Sequence, residues 1–147
     1  MNERRSVKAP NSFWIVAGLS MAWNAFGAVD YVMTRMRNTE YLKNAGDPEV
    51  LLHWIDGFPL WAQIAWPVGV WGSVIGSVLL LLRSRHAVTA YLVSLAGAVI
   101  SFAHQFTAEP PVELNTPANQ AMPLIILAII VFQWWFSRRA TLRGILR

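Results

Sequence analysis

Long apolar stretches alternate with short polar segments along this chain. Four of the stretches approach or exceed the roughly 20 residues that a helix needs to cross about 30 Å of hydrocarbon. They cover residues 13–33, 58–82, 87–106 and 121–137. Alternation of apolar and polar residues with a period of two is weak throughout, which disfavours a β-barrel. The pattern therefore predicts an all-α, polytopic membrane protein, with residues 1–147 forming a single transmembrane domain.

The polar segments between the stretches predict how the helices connect. The short turn at 83–86 forces the second and third helices into an antiparallel hairpin, so we expect an up-down-up-down four-helix bundle. The longest connection, residues 34–57, includes "DPEVLLHWIDGFP". In this segment Asp47 is a suitable N-cap and Pro48 a suitable first helical residue. Because apolar residues recur there at helical spacing, we predict a short amphipathic helix on the outer membrane surface.

Composition and charge support a membrane location. The chain is 55% hydrophobic and only 14% charged, whereas a soluble domain has about 25% charged residues. Of its 12 lysines and arginines, nine lie near the N-terminus, at turn 83–86 and near the C-terminus, and three lie in segment 34–57. This asymmetry predicts that both termini are cytoplasmic and, in a bacterium, that the protein lies in the inner membrane. No continuous basic patch suggests nucleic acid as a partner.

Residues that could support catalysis or bind a metal are few. Cysteine is absent, which excludes disulfides, thiol catalysis and Cys-ligated metal sites. No Gly-rich phosphate loop, Ser-His-Asp pattern or paired-carboxylate motif occurs. His86 and His104 are expected at opposite membrane surfaces and cannot ligate one iron, while a site shared by His53 and His104 would depend on the loop geometry. We therefore predict no enzymatic activity, no cofactor and no metal site.

Ionisable residues inside the apolar stretches are the candidates for a functional site. Asp30 lies about 25 Å along the first helix from Phe13, and we expect His104 and Gln63 at a similar depth on the next two helices. These three side chains could line a shallow polar pocket that opens to the outer side. An ionisable group within a membrane is by default a functional candidate. In the alternative interpretation, Asp30 is a hydrated acid at a helix end, within reach of Arg37.

Small and polar residues at helical spacing predict where the helices meet. Asn24 lies near midspan, where an interhelical hydrogen bond is the expected role and a substrate contact is the alternative. We expect Ser94 and Ser101 to pack in the same way on the third helix. Small residues allow close approach in lipid, which predicts helix contacts at Gly27, Gly69, Gly72, Gly76 and Gly97. The fourth stretch is bulky all round, has Pro123 in its predicted first turn, and is expected at the edge of the bundle.

Three segments of the sequence resemble a family of small four-span bacterial inner-membrane proteins with no established activity. They are "WNAFGAVDYVMT" at 23–34, "FPLWAQIAW" at 58–66 and "GSVLLLLRSRHAV" at 76–88, within a similarity that covers most of the chain. Some members of that family carry the automatic label "sugar transporter". The resemblance implies the four-span topology and the bacterial inner membrane, and it implies no particular functional residue.

Three hypotheses about function follow from these features. The leading one is an accessory or scaffolding subunit, within a larger membrane complex or as a homo-oligomer. The alternative is a small-solute carrier in which Asp30 and His104 titrate protons, although the spans show no inverted repeat. The third is a lipid- or quinone-binding protein that uses Trp66 and Trp71. The expected partners are the lipid bilayer and either other membrane protein subunits or further copies of this chain.

Overall fold

A computed structural model describes residues 7–147. This part of the chain forms α-helices and one 3-10 turn at Val112–Leu114, and it contains no β-strand. The helices are α1 (Asn11–Arg35), α2 (Thr39–Leu42), α3 (Pro48–Asp56), α4 (Leu60–Leu81), α5 (Ala87–Thr107) and α6 (Pro117–Leu142). Four of them, α1, α4, α5 and α6, are long and apolar enough to cross a membrane. The predicted all-α, multi-span fold is confirmed.

The helix boundaries agree closely with the predicted spans except for α6. That helix begins at Pro117, and the Thr116 hydroxyl accepts a 3.2 Å hydrogen bond from the backbone N–H of Asn119. Pro123 therefore lies inside the helix, and its predicted place in the first turn is wrong. The first turn is the polar segment 117–120, which a hydropathy pattern leaves out, because hydropathy marks where the lipid begins rather than where the helix begins.

The spanning helices pack in the order α1, α4, α5, α6, with α4 and α5 as the central antiparallel pair. α1 packs against α4, and α6 packs against α5. α1 and α6 also touch, since the rings of Phe13 and Phe136 stack with centroids 5.9 Å apart. The predicted up-down-up-down bundle is therefore present. Its two ends differ, and we name them by what they contain. The terminal end holds residues 7–13, 82–86 and 138–147, and the loop end holds residues 36–59 and 108–116.

Four of the predicted glycines lie where α4 meets α5: Gly69, Gly72, Gly76 and Gly97. A Cβ atom built on Gly97 would lie 2.6 Å from the backbone nitrogen of Gly69. One built on Gly76 would lie 2.8 Å from the ring of Tyr91. Because these distances are shorter than van der Waals contact, the glycines bring the two helices closer than any larger residue would allow.

Gly27 does not share this role. A Cβ atom at that position would meet no heavy atom within 4 Å. The buried stripe of α1 runs through Asn24 and Ala28 instead, since a step of four residues keeps a side chain on the same face of the helix. Gly27 is thus not a packing position of the described bundle, which corrects its predicted role.

Arg83 links three segments of the terminal end through hydrogen bonds. Its backbone has a φ of +57°, in the left-handed region that glycine usually occupies after a helix. The guanidinium Nε donates a 3.0 Å hydrogen bond to the carbonyl of Ile145, and Nη2 donates a 2.7 Å bond to the carbonyl of Val7. These bonds offset the left-handed conformation, which costs roughly 1–2 kcal/mol for a residue with a Cβ.

The predicted amphipathic helix is present at the loop end as α3. The Asp47 side chain accepts a 2.9 Å hydrogen bond from the N–H of Glu49, and Pro48 occupies the first turn. The one-turn helix α2 precedes it and was not predicted. Asn38 caps α2 by accepting a 3.0 Å hydrogen bond from the backbone N–H of Tyr41.

Candidate functional site

The three residues predicted to line an outer polar pocket have separate partners. The exposed Asp30 carboxylate accepts a 3.0 Å hydrogen bond from the Tyr41 hydroxyl. Gln63 folds back on the start of its own helix, where its Nε2 donates a 2.9 Å bond to the carbonyl of Phe58. His104 packs among aromatic rings. Asp30, Gln63 and His104 make no hydrogen bond to one another among the described residues, and their common pocket stays a prediction.

The order of the helices bears on whether Asp30 and His104 can meet. α4 lies between α1 and α5, so two side chains at equal depth on α1 and α5 need not be neighbours. The alternative pairing of Asp30 with Arg37 is also absent, because Arg37 donates a 2.7 Å hydrogen bond to the carboxylate of Asp56 at the end of α3. Arg37 has a φ of +55°, another left-handed residue immediately after a helix.

Tyr41 lies outside the membrane-spanning helices, and its environment perturbs its ionisation. Partial burial raises the pKa of Tyr41 above the usual value of 10.0, and the hydrogen bond and the charge of Asp30 raise that pKa further. The neutral phenol is the form that donates to Asp30. The stabilisation is therefore fully present below the unfolded pKa and is lost as the pH rises through the higher folded pKa.

We expect Tyr41 to titrate at a higher pH than an exposed tyrosine, and we expect Asp30→Asn to lower its pKa without restoring the usual value. The substitution removes the charge, whereas burial, the larger cause, stays. The ultraviolet absorbance of the folded protein, titrated with and without Tyr41→Phe, isolates this one phenol. A midpoint at the usual value in the parent protein would contradict the expectation, as would an identical midpoint in Asp30→Asn.

The His104 side chain on α5 packs against aromatic residues of α3 and of the start of α4. Its ring centroid lies 4.7 Å from that of Phe58, 5.8 Å from that of Trp61 and 6.3 Å from that of Trp54. Within residues 7–147, no group of three or more His, Asp or Glu side chains is placed to hold a metal ion. The geometry of His104 is that of a packing residue between aromatic rings.

Polar side chains meet in the buried interior of the bundle, where hydrogen bonds link all the spanning helices. Asn24 Nδ2 on α1 donates to Ser77 Oγ at 2.8 Å and to the Ser73 carbonyl at 3.1 Å, both on α4. The same nitrogen lies 3.2 Å from Gln133 Oε1 on α6. Ser77 Oγ is also 3.0 Å from the hydroxyl of Tyr91 on α5. We call these five residues the midspan network.

The midspan network ends in a donor without a partner. Gln133 is only 1% exposed, and no acceptor within hydrogen-bond distance of its Nε2 is present in the described part of the chain. The Ser73 carbonyl can only accept a hydrogen bond, so the Asn24 amide must point its nitrogen toward it. Because that nitrogen is a donor, the Gln133 atom next to it must be the acceptor Oε1. Rotating the Gln133 amide would therefore set two NH₂ groups against each other. A buried polar group left unpaired in this way costs roughly 1–3 kcal/mol.

Sequence reasoning identified part of this network. Asn24 forms the interhelical bonds expected from its midspan position, while Ser77, Tyr91 and Gln133 were not singled out. A glutamine in the apolar run "IIVFQWWF" is a signal that could have drawn attention to α6. The two predicted packing serines are both buried on α5, and Ser94 Oγ donates a 2.6 Å hydrogen bond to the carbonyl of Gly69.

A second polar–aromatic group lies between α1 and α4 toward the loop end. The ring of Tyr31 meets those of Trp66 and Trp71 edge-on, with centroids 5.0 and 6.4 Å away. The Arg35 guanidinium carbon lies 5.1 Å from the Trp66 ring centroid and 5.5 Å from that of Tyr31. Trp71 remains 42% exposed. We call these four residues the α1–α4 aromatic group, and it offers a flat apolar surface next to a cation.

The fold and the four long apolar helices define a multi-span α-helical membrane protein. Comparisons of the chain with protein-family models, with curated proteins and with solved structures find no match.

Proposed function

We propose that the protein is an accessory or scaffolding subunit of a membrane assembly, either in a complex with other membrane proteins or as a homo-oligomer. The observation that carries the proposal is a face of small residues on α1 that has no partner within the described bundle. Small residues between α4 and α5 are closely covered, whereas a Cβ atom built on Gly18 of α1 would meet no heavy atom within 4 Å.

This α1 face has the geometry of a helix-docking surface. Gly18, Ala22 and Ala25 are three or four residues apart, so they lie on one side of the helix, and all three are exposed. Gly18 and Ala22 have the small-xxx-small spacing that lets transmembrane helices approach closely. In lipid such an approach gains van der Waals packing, which a subunit of an assembly would use.

The other two hypotheses receive less support from the geometry. A proton-coupled carrier would need Asp30 and His104 to cooperate, and they contact different residues. Lipid or quinone binding is the second candidate function, because the α1–α4 aromatic group presents exposed aromatic surface beside Arg35. A ring-shaped ligand could stack there, but Arg35 already contacts the rings of Tyr31 and Trp66 and donates a 3.2 Å hydrogen bond to the Gln63 carbonyl.

The proposed location is the bacterial inner membrane with both termini in the cytoplasm, and the charge distribution supports it. Among residues 7–147, the terminal end carries seven lysines and arginines and no Asp or Glu. The rest of the described chain, which consists of the loop end and the spanning segments, carries all seven described acidic residues and three basic ones. The predicted N-terminal basic residues Arg4 and Arg5 lie outside the described residues. Reporter fusions at the C-terminus and in the 108–116 segment test the orientation.

Purification in mild detergent followed by native mass spectrometry tests the proposed assembly. We expect a second protein or further copies of this chain, and we expect Gly18→Leu/Ala22→Leu to release them because leucines would hold the partner helix away. Ala96→Leu/Ala103→Leu is the matched control, since these alanines are exposed on α5. A parent protein that is monomeric and alone contradicts the proposal, and equal losses in both double variants exclude the α1 face as the contact.

A further inference from the structure

The terminal end concentrates positive charge that no described side chain neutralises. Both ion pairs found among residues 7–147 lie at the loop end, where Arg37 pairs with Asp56 and Lys43 pairs with Glu40. Carboxylate side chains are absent from the described part of the terminal end. Arg83 donates to backbone carbonyls, and the guanidinium groups of Arg138 and Arg139 lie over the aromatic rings of Trp134 and Trp135.

Part of this charge surrounds a cleft. The cleft has a volume of about 280 Å³ and lies between the start of α5 and the end of α6. Its lining combines basic, hydroxyl and apolar side chains: Arg85, His86, Val88, Thr89, Arg138, Thr141 and Leu142. Arg138 is positioned from the α6 side, because its guanidinium carbon lies 5.7 Å from the ring centroid of Trp134.

We propose that this cleft binds the phosphate group of an anionic phospholipid. Arginine presents paired N–H donors that match phosphate oxygens. Arg85 lines the cleft from the turn before α5, and Arg138 lines it from α6. Thr89 adds a hydroxyl donor, whereas the Thr141 hydroxyl already donates a 2.9 Å hydrogen bond to the Ser137 carbonyl. The start of α5 also contributes the partial positive charge of a helix N-terminus.

The position of the cleft favours a lipid over a free anion. The cleft lies at the end of two spanning helices, where the headgroup layer of a bilayer would be, and basic pockets at this level bind phospholipid headgroups. Val88 and Leu142 in its lining are apolar, so they can contact the glycerol and acyl carbons of a lipid and gain nothing from inorganic phosphate. A zwitterionic lipid would bring its own cation against Arg85 and Arg138.

Lipid binding by the purified full-length protein in mild detergent tests the proposal by native mass spectrometry. The probes are phosphatidylglycerol as the anionic lipid, phosphatidylcholine as the zwitterionic lipid, and inorganic phosphate. We expect retained phosphatidylglycerol, with the affinity falling roughly tenfold or more in Arg85→Gln/Arg138→Gln. Arg85→Lys/Arg138→Lys should retain a larger part of the affinity, since it keeps the charge and loses only the paired donors.

A matched variant separates a site from general surface charge. Lys8→Gln/Arg147→Gln removes the same charge from the same end, and neither residue lines the cleft. Equal losses in the two double variants would overturn the proposal, as would equal binding of phosphatidylcholine or full displacement of the lipid by inorganic phosphate. A photoactivatable phosphatidylglycerol applied to the unaltered protein provides a test without substitutions. Crosslinks should map to segments 85–89 and 138–142, and crosslinks only elsewhere would overturn the assignment.

Discussion

Gly97→Ala is expected to destabilise the bundle by about 1–3 kcal/mol, the range for overpacking a close contact. The added Cβ would lie 2.6 Å from the backbone nitrogen of Gly69 and 2.9 Å from the backbone oxygen of Ala65. Both atoms belong to the backbone of α4, so no side-chain rotation relieves the clash, and the two central helices must separate. A lower midpoint of thermal unfolding in mild detergent, with the helical circular dichroism signal of the folded state unchanged, measures the effect.

The chain offers a control with the same chemical change. Gly27→Ala adds one methyl group to α1, where that group would meet no heavy atom within 4 Å, and Gly27 lies outside the proposed docking face. Because alanine favours a helix more than glycine does, this variant should be as stable as the parent or slightly more stable. If Gly97→Ala and Gly27→Ala shifted the unfolding midpoint equally, the close α4–α5 contact would be excluded as the cause.

Asn24→Leu is expected to destabilise the bundle by about 1–2 kcal/mol, at the upper end for an interhelical hydrogen bond in a membrane. The substitution removes donors to Ser77, to the Ser73 carbonyl and to Gln133. Gln133→Leu should behave differently. It loses one long hydrogen bond and at the same time removes the buried, unpaired Nε2, so its effect on stability should be small or favourable.

A double-mutant cycle measures how far these two side chains act together. The free energies of unfolding of both single variants and of Asn24→Leu/Gln133→Leu, obtained by reversible denaturation in detergent, give the coupling energy. We expect a coupling of a few tenths of a kcal/mol to about 1 kcal/mol, because the Asn24–Gln133 bond is one of several that Asn24 makes. A loss in Gln133→Leu as large as that in Asn24→Leu would show that Gln133 has a further stabilising contact.

Local sequence signals predicted the parts of this fold that depend on a few neighbouring residues. Asp47 and Pro48 predicted the start of α3, because an N-cap and a first-turn proline stabilise the helix turn that directly follows them in the chain. The glycines of α4 and α5 predicted a close contact between helices, because their spacing places small residues on one face of each helix. The same rule failed for Gly27, since a small residue marks a possible contact and the neighbouring helix decides whether it is used.

The candidate sites show where sequence reasoning ended. Depth in the membrane can be counted along each helix, so Asp30 and His104 were placed at one level. The sequence of one helix does not indicate which helices are its neighbours. In the structure α4 lies between α1 and α5 and separates the two residues. Tertiary packing alone also brought Ser77 and Gln133 to Asn24, and Tyr91 to Ser77.

The sequence by itself therefore determined the number, type and approximate extent of the spanning helices and the presence of the short helix α3. Each of these follows from the solubility and hydrogen bonding of residues that are adjacent in the chain. Only the tertiary structure decided which polar side chains meet, since a contact between helices depends on their order, rotation and closeness together.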